Sequence, residues 1–415
     1  MLKISHLSAR EILDSRGNPT IEIVAKTKDT VVTASVPSGA SKGRYEAKEL
    51  RDFDKKRFKG RGVQRAIENI NKIISKKIVK KVDISKQEVV DNLLISLDGT
   101  KDKSKLGANA ILAASIVCAK MAAVKKGLPL YKYLASLNKN KKLVMPVPFS
   151  NIINGGSHAG NNLEFQEFMI APVVRSFKEA TQLVDETYFT LKTILTEKFG
   201  RSAVNVGDEG GFAPPVDNAE QALELLTRAI EEAGYSKKVK IAIDAAASSF
   251  YHQGYYMQNQ MSPETFMQYY EDLLKRYNVV SIEDPFDQDD FMSWKEFTRK
   301  FRMQVVGDDL LVTNPERIQV AAKEKLCNAL LLKINQIGTL TEAFEAANLA
   351  FKNRWKVMVS HRSGETNDSF IADLAVGLGN GQIKIGAPCR GERVAKYNRL
   401  LEIEEGSKSL RYGRI

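Results

Sequence analysis

Six short apolar runs in the C-terminal two-thirds of the chain each end on a polar residue suited to chemistry. They are KIAID at Asp244, VVSIE at Glu283, QVVGD at Asp308, LLLK at Lys333, VMVSH at His361 and GQIK at Lys384. Successive gaps are 39, 25, 25, 28 and 23 positions, the room taken by one strand, one helix and two connections. In a β/α barrel the C-terminal ends of the strands converge on one mouth, so the spacing predicts that these six side chains share a site. Three acids, two lysines and a histidine gathered there describe metal-assisted chemistry on an anion.

With 415 residues and 43% hydrophobic content, the chain can form two cored domains, or a barrel plus a smaller domain. The opening MLKISHLSAR lacks an apolar h-region, so neither a signal peptide nor a membrane span is expected. The nearest candidate span, Ala108 to Val124, carries Asn109, Ser115 and Lys120 and reads as a buried helix. Cys118, Cys327 and Cys389 are too far apart for a disulfide framework or a zinc-ligand pattern. Reduced structural thiols in a cytoplasmic protein are expected. The net charge of +12 raises nucleic-acid binding, because basic surfaces release counterions from phosphates. The lysines of 76–86 (KKIVKKVDISK) and 138–142 (NKNKK) lack interleaved aromatics, so the expectation is solvated faces and no specific nucleic-acid partner.

Along the chain, β-branched content predicts strands over 2–7, 20–25 and 31–36, with a turn at KTKDT. Apolar residues at spacings of three and four then predict helix over 64–77, 88–96 and 107–136. The polar, lysine-rich 137–142 marks a boundary. The expected organisation is an α+β capping domain over 1–137, with a mobile loop at 37–44, and a β/α barrel over 143–415. Alternating strands and helices in the second part predict parallel βα units.

Carboxylates close together repel and raise each other's pKa unless a cation neutralises them. Asp244, Glu283 and Asp308 at three strand ends therefore suggest an all-oxygen Mg²⁺ site. One such acid could simply cap the next helix, but capping does not predict a shared strand-end position for three. Lys333 follows a buried run beside that site, where positive charge and partial burial should lower its pKa and make it a general base. A lysine snorkelling at the barrel rim is the alternative. Lys384 has the same placement and reads as an electrostatic clamp on an anionic group. His361, in HRSGET, and His158, in NGGSHAGNN ahead of Gln166 and Glu167, sit in loops rich in glycine or serine. Arg362 and Ser363 offer a planar guanidinium and a hydroxyl for a phosphate or carboxylate. In PSGASKGRYE (37–46) the glycines permit a hinged loop with Ser41 exposed. In NVGDEGGFAP (205–214) they flank Asp208 and Glu209, letting a carboxylate approach a ligand without bulk.

These motifs resemble the enolases over nearly the whole chain. The resemblance is carried by AREILDSRGNPTIEI (9–23), KLGANAILA (105–113), INGGSHAGNN (153–162), VGDEGGFAP (206–214), SIEDPF (281–286), LLLKINQIGTLTE (330–342), SHRSGET (360–366) and GQIKIGAP (381–388). It implies an α/β protein, an enolase-type β/α barrel preceded by a smaller α+β domain. It further implies a lyase that dehydrates 2-phosphoglycerate reversibly to phosphoenolpyruvate in glycolysis and gluconeogenesis, with two Mg²⁺ per active site. Asp244, Glu283 and Asp308 match the ligands of the tightly held Mg²⁺, and Ser41 matches a mobile-loop contact to the second. Lys333 matches the base at C2 and Glu209 the acid that protonates the departing C3 hydroxyl. His158, Gln166 and Glu167 match groups around the substrate, His361, Arg362 and Ser363 the phosphate side, and Lys384 a carboxylate contact. Enolases are typically homodimers and sometimes octamers. Lys42 stands where the family usually has threonine, and the basic pI departs from a commonly acidic family. The alternatives are a superfamily relative acting on another carboxylate, and a binding role such as surface adhesin or RNA-decay scaffold partner.

Overall fold

Three antiparallel strands, β1 (His6–Leu13), β2 (Pro19–Lys26) and β3 (Val31–Ser35), open the chain in the spatial order β1-β2-β3. The structure, a computed structural model, describes residues 1–40, 43–407 and 409–415. Ile21, Ile23 and Ala25 of β2 are buried at every second position, as a strand with one covered face requires. β1 begins later and runs further than the apolar residues at 2–7 predict. Leu2 and Ile4 instead accept hydrogen bonds from the amides of Ile84 and Lys80. Arg10 lies opposite Glu22 and pairs with it, so a cross-strand ion pair extends a strand that hydrophobicity alone would have ended.

Helical structure follows: α1 (Gln64–Glu68), a π-helical turn over Asn69–Ile74, α2 (Ser75–Ile78), α3 (Gln87–Asp98), α4 (Ala108–Lys125) and α5 (Leu130–Leu137). The one helix expected over 107–136 is two. Gly127 takes a left-handed φ of +63°, and Pro129 has no amide hydrogen to continue the ladder. α4 is apolar and long enough to cross a membrane, but it is a core helix buried within the fold, as its sequence suggested.

The remaining elements are β4 (Val144–Met145), β5 (Val147–Asn154), β6 (Glu167–Pro172), α6 (Phe177–Phe199), α7 (Ala219–Glu232), β7 (Val239–Asp244) and a hairpin of β8 (Tyr251–His252) and β9 (Tyr255–Tyr256). Then come α8 (Pro263–Arg276), β10 (Val279–Glu283), α9 (Phe291–Lys300), β11 (Gln304–Gly307), α10 (Pro315–Glu324), β12 (Ala329–Leu332) and the short α11 (Ile334–Ile337). The chain finishes with α12 (Leu340–Lys352), β13 (Lys356–Ser360), α13 (Phe370–Leu378), β14 (Gln382–Lys384), α14 (Gly391–Glu405) and β15 (Arg411–Tyr412). Eight strands close into a barrel in the order β5-β6-β7-β10-β11-β12-β13-β14. Inward side chains such as Phe149, Met169, Val306, Leu331 and Met358 fill its interior.

The alternation of elements predicts parallel pairing throughout, yet β6 runs antiparallel to both β5 and β7. Residues 155–166 join β5 to β6 without a crossover helix, so β6 returns in the opposite direction, and both α6 and α7 fall between β6 and β7. The mouth of the barrel therefore receives the start of β6 and the ends of its neighbours.

Candidate active site

β7, β10 and β11 are adjacent, and their ends bring the three expected acids together. Glu283 is in register with Asp244, and Asp308 directly follows β11 on the other side. All three are buried. Burial pushes the Glu283 carboxyl well above the usual range, and the charges of Asp244 and Asp308 push it in the same direction. Lys384, at the end of β14, places its ammonium 2.9 Å from Asp244 Oδ2, 2.9 Å from Glu283 Oε1 and 3.1 Å from Glu167 Oε1. Burial opposes that charge, but the surrounding carboxylates outweigh burial and hold Lys384 protonated well above its ordinary range. Lys384 is thus the counter-charge of the acid cluster in this state.

Lys333 leaves β12 and pairs with Asp308. Its pKa is raised, not lowered as the sequence suggested. Burial does pull the ammonium down, but the adjacent Asp308 charge pulls it up further. Asp308 also accepts from Gln336 Nε2 at 2.8 Å. Behind it, Asp284 receives the backbone amides of Asp308 and Asp309 at 2.9 and 2.7 Å, so Asp284 shapes the strand-end turn.

On the opposite wall, Glu167 opens β6 and so reaches the mouth because that strand is reversed. His158 Nδ1 lies 3.6 Å from both Glu167 and Glu209. Glu209 also accepts from Asn151 Nδ2 at 3.1 Å and faces His361 Nε2 at 3.2 Å. The glycines around Glu209 are required by crowding. A Cβ on Gly207 would stand 2.4 Å from the His158 carbonyl, and one on Gly210, at φ +84°, 2.6 Å from that of Cys389. Gln166 donates to Asp244 Oδ2 at 3.3 Å and accepts from Ser157 at 2.8 Å.

His361 is held neutral, its pKa lowered by burial to about 4. Arg393 Nη1 lies 2.7 Å from its Nδ1. A guanidinium can only donate, so Nδ1 accepts and the ring proton sits on Nε2, facing Glu209. Arg393 also donates to the carbonyls of Arg362 and Ser363, both at 2.6 Å. Lys396, one turn along α14, donates to Glu365 at 2.8 Å and to the Thr366 carbonyl at 2.6 Å. These two buried cations staple the 361–366 loop from behind. In front, Ser38 and Gly364 exchange backbone hydrogen bonds of 2.8 and 2.9 Å, and the Ala40 amide donates to Ser363 Oγ at 2.7 Å. Glu46 of the first domain grips Arg362 through both guanidinium nitrogens at 3.1 Å. The expected Ser41 contact, and Lys42, lie outside the described residues.

A small enclosed pocket joins these walls, lined by His158, Gln166, Glu167, Glu209, Lys333 and Lys384, with His361, Arg362 and Ser363 over it. In the closed strand order β12 is four strands from β6 in either direction, so Lys333 and the Glu167–Glu209 wall face each other across the barrel. Sequence reading missed Arg393, Lys396, Glu46, Gln336 and Asn151. The signal for the first two was present, as cations one turn apart on the face of α14 that buries Tyr397 and Leu400.

The donor set fits a hard divalent cation. Five buried carboxylates, Glu167, Glu209, Asp244, Glu283 and Asp308, surround two ammonium groups, leaving excess negative charge among oxygen donors. Among the described residues, possible ligand atoms lie within 4.8 Å of one another in His158–Glu167–Glu209 and in Asp284–Asp308–Asp309. Lys384 and Lys333 hold the expected Asp244–Glu283–Asp308 set in other pairings here.

Comparison with protein families gives two matches. Residues 4–134 match the model of the enolase N-terminal domain, and residues 142–413 that of the enolase C-terminal TIM barrel domain.

Proposed function

The chain belongs to the enolase family, and from that premise we propose that it catalyses the reversible dehydration of 2-phospho-D-glycerate to phosphoenolpyruvate. The observation that carries this reading is the placement of Lys333 and Glu209 on facing walls of one buried pocket. Elimination of water needs a base at C2 and an acid at the C3 hydroxyl, in opposite protonation states at one pH. Two residues on separate walls can approach C2 and the C3 hydroxyl from opposite sides.

In this reading Lys333 removes the C2 proton and Glu209 returns a proton to the departing hydroxyl. His158, Gln166 and Glu167 orient the leaving group. Arg362 and Ser363 receive the phosphate, with neutral His361 beside Glu209, and Lys384 faces the substrate carboxylate. Asp308 keeps Lys333 protonated in the present state, so base function requires Asp308 to turn to another cationic partner. Asp244, Glu283 and Asp308 would hold one Mg²⁺, and Ser41 is the expected contact to a second. Two such ions supply stabilisation of the charge that builds on the carboxylate when C2 is deprotonated. The enzyme would work in the cytoplasm as a homodimer, in glycolysis and gluconeogenesis.

The test is incubation of the purified protein with 2-phosphoglycerate and Mg²⁺, following the ultraviolet absorbance of the enol product. Turnover of a different carboxylate substrate, with none of this one, would assign the site to another reaction of the superfamily. Light scattering on the eluted protein reads the oligomer.

A further inference from the structure

Arg393 is fully buried on α14, and its guanidinium gathers acceptors from two loops. Nη1 lies 2.7 Å from His361 Nδ1 and donates to the Arg362 carbonyl at 2.6 Å. Nη2 donates to the Ser363 carbonyl at 2.6 Å and to that of Asp208, the residue before Glu209, at 3.1 Å. One side chain therefore holds both the His361 ring and the peptide that leads into Glu209. A bare glycine packs against the ring. A Cβ on Gly386 would stand 3.1 Å from His361 Cε1 and 2.7 Å from the Glu209 carbonyl. Boxed in this way, the ring keeps Nε2 3.2 Å from Glu209 Oε2.

The two oxygens of Glu209 are not alike. Oε2 accepts from Asn151 Nδ2 at 3.1 Å and is the oxygen that His361 faces. Among the described residues no donor completes a hydrogen bond to Oε1, and His158 Nδ1 stands 3.6 Å away from it. A proton on Oε2 would meet two donor groups, so a protonated Glu209 carries its proton on Oε1. That preference depends on the His361 tautomer. With the ring proton on Nδ1, the Nε2 lone pair would accept a proton from Oε2 and keep it on the inner side of the carboxyl. Burial holds the ring neutral, its pKa lowered to about 4, so the tautomer is the variable left to be set.

We propose that Arg393 is a positioning residue for proton transfer: by leaving Nδ1 no room for a proton, it fixes His361 as a donor toward Glu209 Oε2 and keeps the transferable proton on Oε1. The proposal rests on Glu209 being the acid of the dehydration. In that step the Oε1–H bond breaks and its proton joins the C3 oxygen as the C3–O bond breaks. The electron pair on C2 forms the new double bond, water leaves, and Glu209 remains as the carboxylate. Lys396 separates this role from simple fastening, because it ties the same loop through Glu365 and Thr366 without touching the ring.

The test reads the tautomer first, in the full chain labelled with ¹⁵N at histidine. A long-range proton–nitrogen correlation spectrum shows which ring nitrogen carries the proton, and among four histidines a His361→Asn spectrum identifies the signal. Wild type should show Nδ1 bare and Nε2 protonated. Arg393→Met should move the proton to Nδ1 or share it between the nitrogens. The same variant should lower product formation about a hundredfold, with KM and exchange of the C2 proton changed less than about threefold. Arg393→Lys keeps a donor beside Nδ1 and should restore the wild-type tautomer and most product formation. Lys396→Met should leave the tautomer unchanged and affect exchange and product formation alike. A proton on Nδ1 in the wild type would overturn the proposal, as would an unchanged tautomer in Arg393→Met. So would a restored tautomer without restored product in Arg393→Lys, or the same tautomer change and split in Lys396→Met. The wild-type and Arg393→Lys spectra decide it where Arg393→Met fails to fold. No product from the wild type would refute the reaction assigned to Glu209, a failure distinct from that of the ring, which the spectrum reads without substrate.

Discussion

The barrel mouth and the outer face of the first domain are both crowded with charge, and they handle it in opposite ways. At the mouth, charges of both signs are buried and satisfied by one another, Lys384 against Asp244, Glu167 and Glu283, Lys333 against Asp308, Arg362 against Glu46. On the outer face one sign accumulates, at Lys76, Lys77, Lys80 and Lys81, which are exposed and make no ion pair with a described residue. Water screens the second arrangement, so its charges are nearly independent of each other. In the first they depend on each other, because each lost partner leaves a buried charge exposed to a low-dielectric interior.

The strongest way to break this contrast is through chemistry. Lys333→Ala should lower turnover by about a thousandfold or more and abolish exchange of the C2 proton with deuterated solvent. Glu209→Gln should keep much of that exchange while losing product. Equal loss of exchange in both, with substrate binding intact, would refute the division of roles. Metal removal comes next. A chelator should silence the enzyme and Mg²⁺ restore it, while full activity without a divalent ion would remove the reason for the acid cluster.

Stability sharpens the comparison further. Lys384→Met should destabilise the metal-free protein by about 3–5 kcal/mol in denaturant titrations, since three carboxylates lose their shared partner. A change below about 1 kcal/mol would mean the mouth charges do not depend on one another. The pH response of His361 is smaller. Its folded pKa, lowered to about 4, lies below the ordinary value near 6.5, so the unfolded chain takes up the proton first. The stability contribution is complete above about pH 6.5 and is lost as pH falls toward 4, by up to about 3 kcal/mol. His361→Asn should flatten that slope, and an unchanged slope would rule the assignment out. Smallest of all, Lys76→Ala with Lys77→Ala should leave stability within about 0.5 kcal/mol of wild type.

The same contrast explains what the sequence made legible. Asp244, Glu283, Asp308, Lys333, His361 and Lys384 could be read because each ends an apolar run, and a strand end in a barrel has only one place to go. Glu167 could not be placed by that rule, since it begins a reversed strand. The reversal itself hides in the short connection 155–166, which has a single 3-10 turn over Gly156–His158 and no crossover helix. Glu46 reaches the site from far away in the chain, where no local period marks it. The Lys333 shift was misjudged because its nearest neighbour proved to be Asp308, a partner that spacing alone does not reveal. The extension of β1 to Leu13 and the break between α4 and α5 were decided by a cross-strand ion pair and a left-handed glycine, both invisible to a hydrophobic pattern.

The stapled 361–366 loop also bears on how the molecule is made. It is pinned by Ser15 to the carbonyl of Glu365 at 2.8 Å, by Glu46 to Arg362, and from the far end by Arg393 and Lys396. Parts of the chain more than three hundred residues apart must therefore meet before the loop is fixed. Contacts so distant in sequence form late and slowly, and a growing chain on the ribosome has its first domain long before it has α14. A nascent polypeptide halted just short of residue 393 would hold all eight barrel strands yet leave the loop untied, with apolar surface exposed to aggregation or to chaperones. Catalytic competence then waits on α14, which is made only after every strand of the barrel.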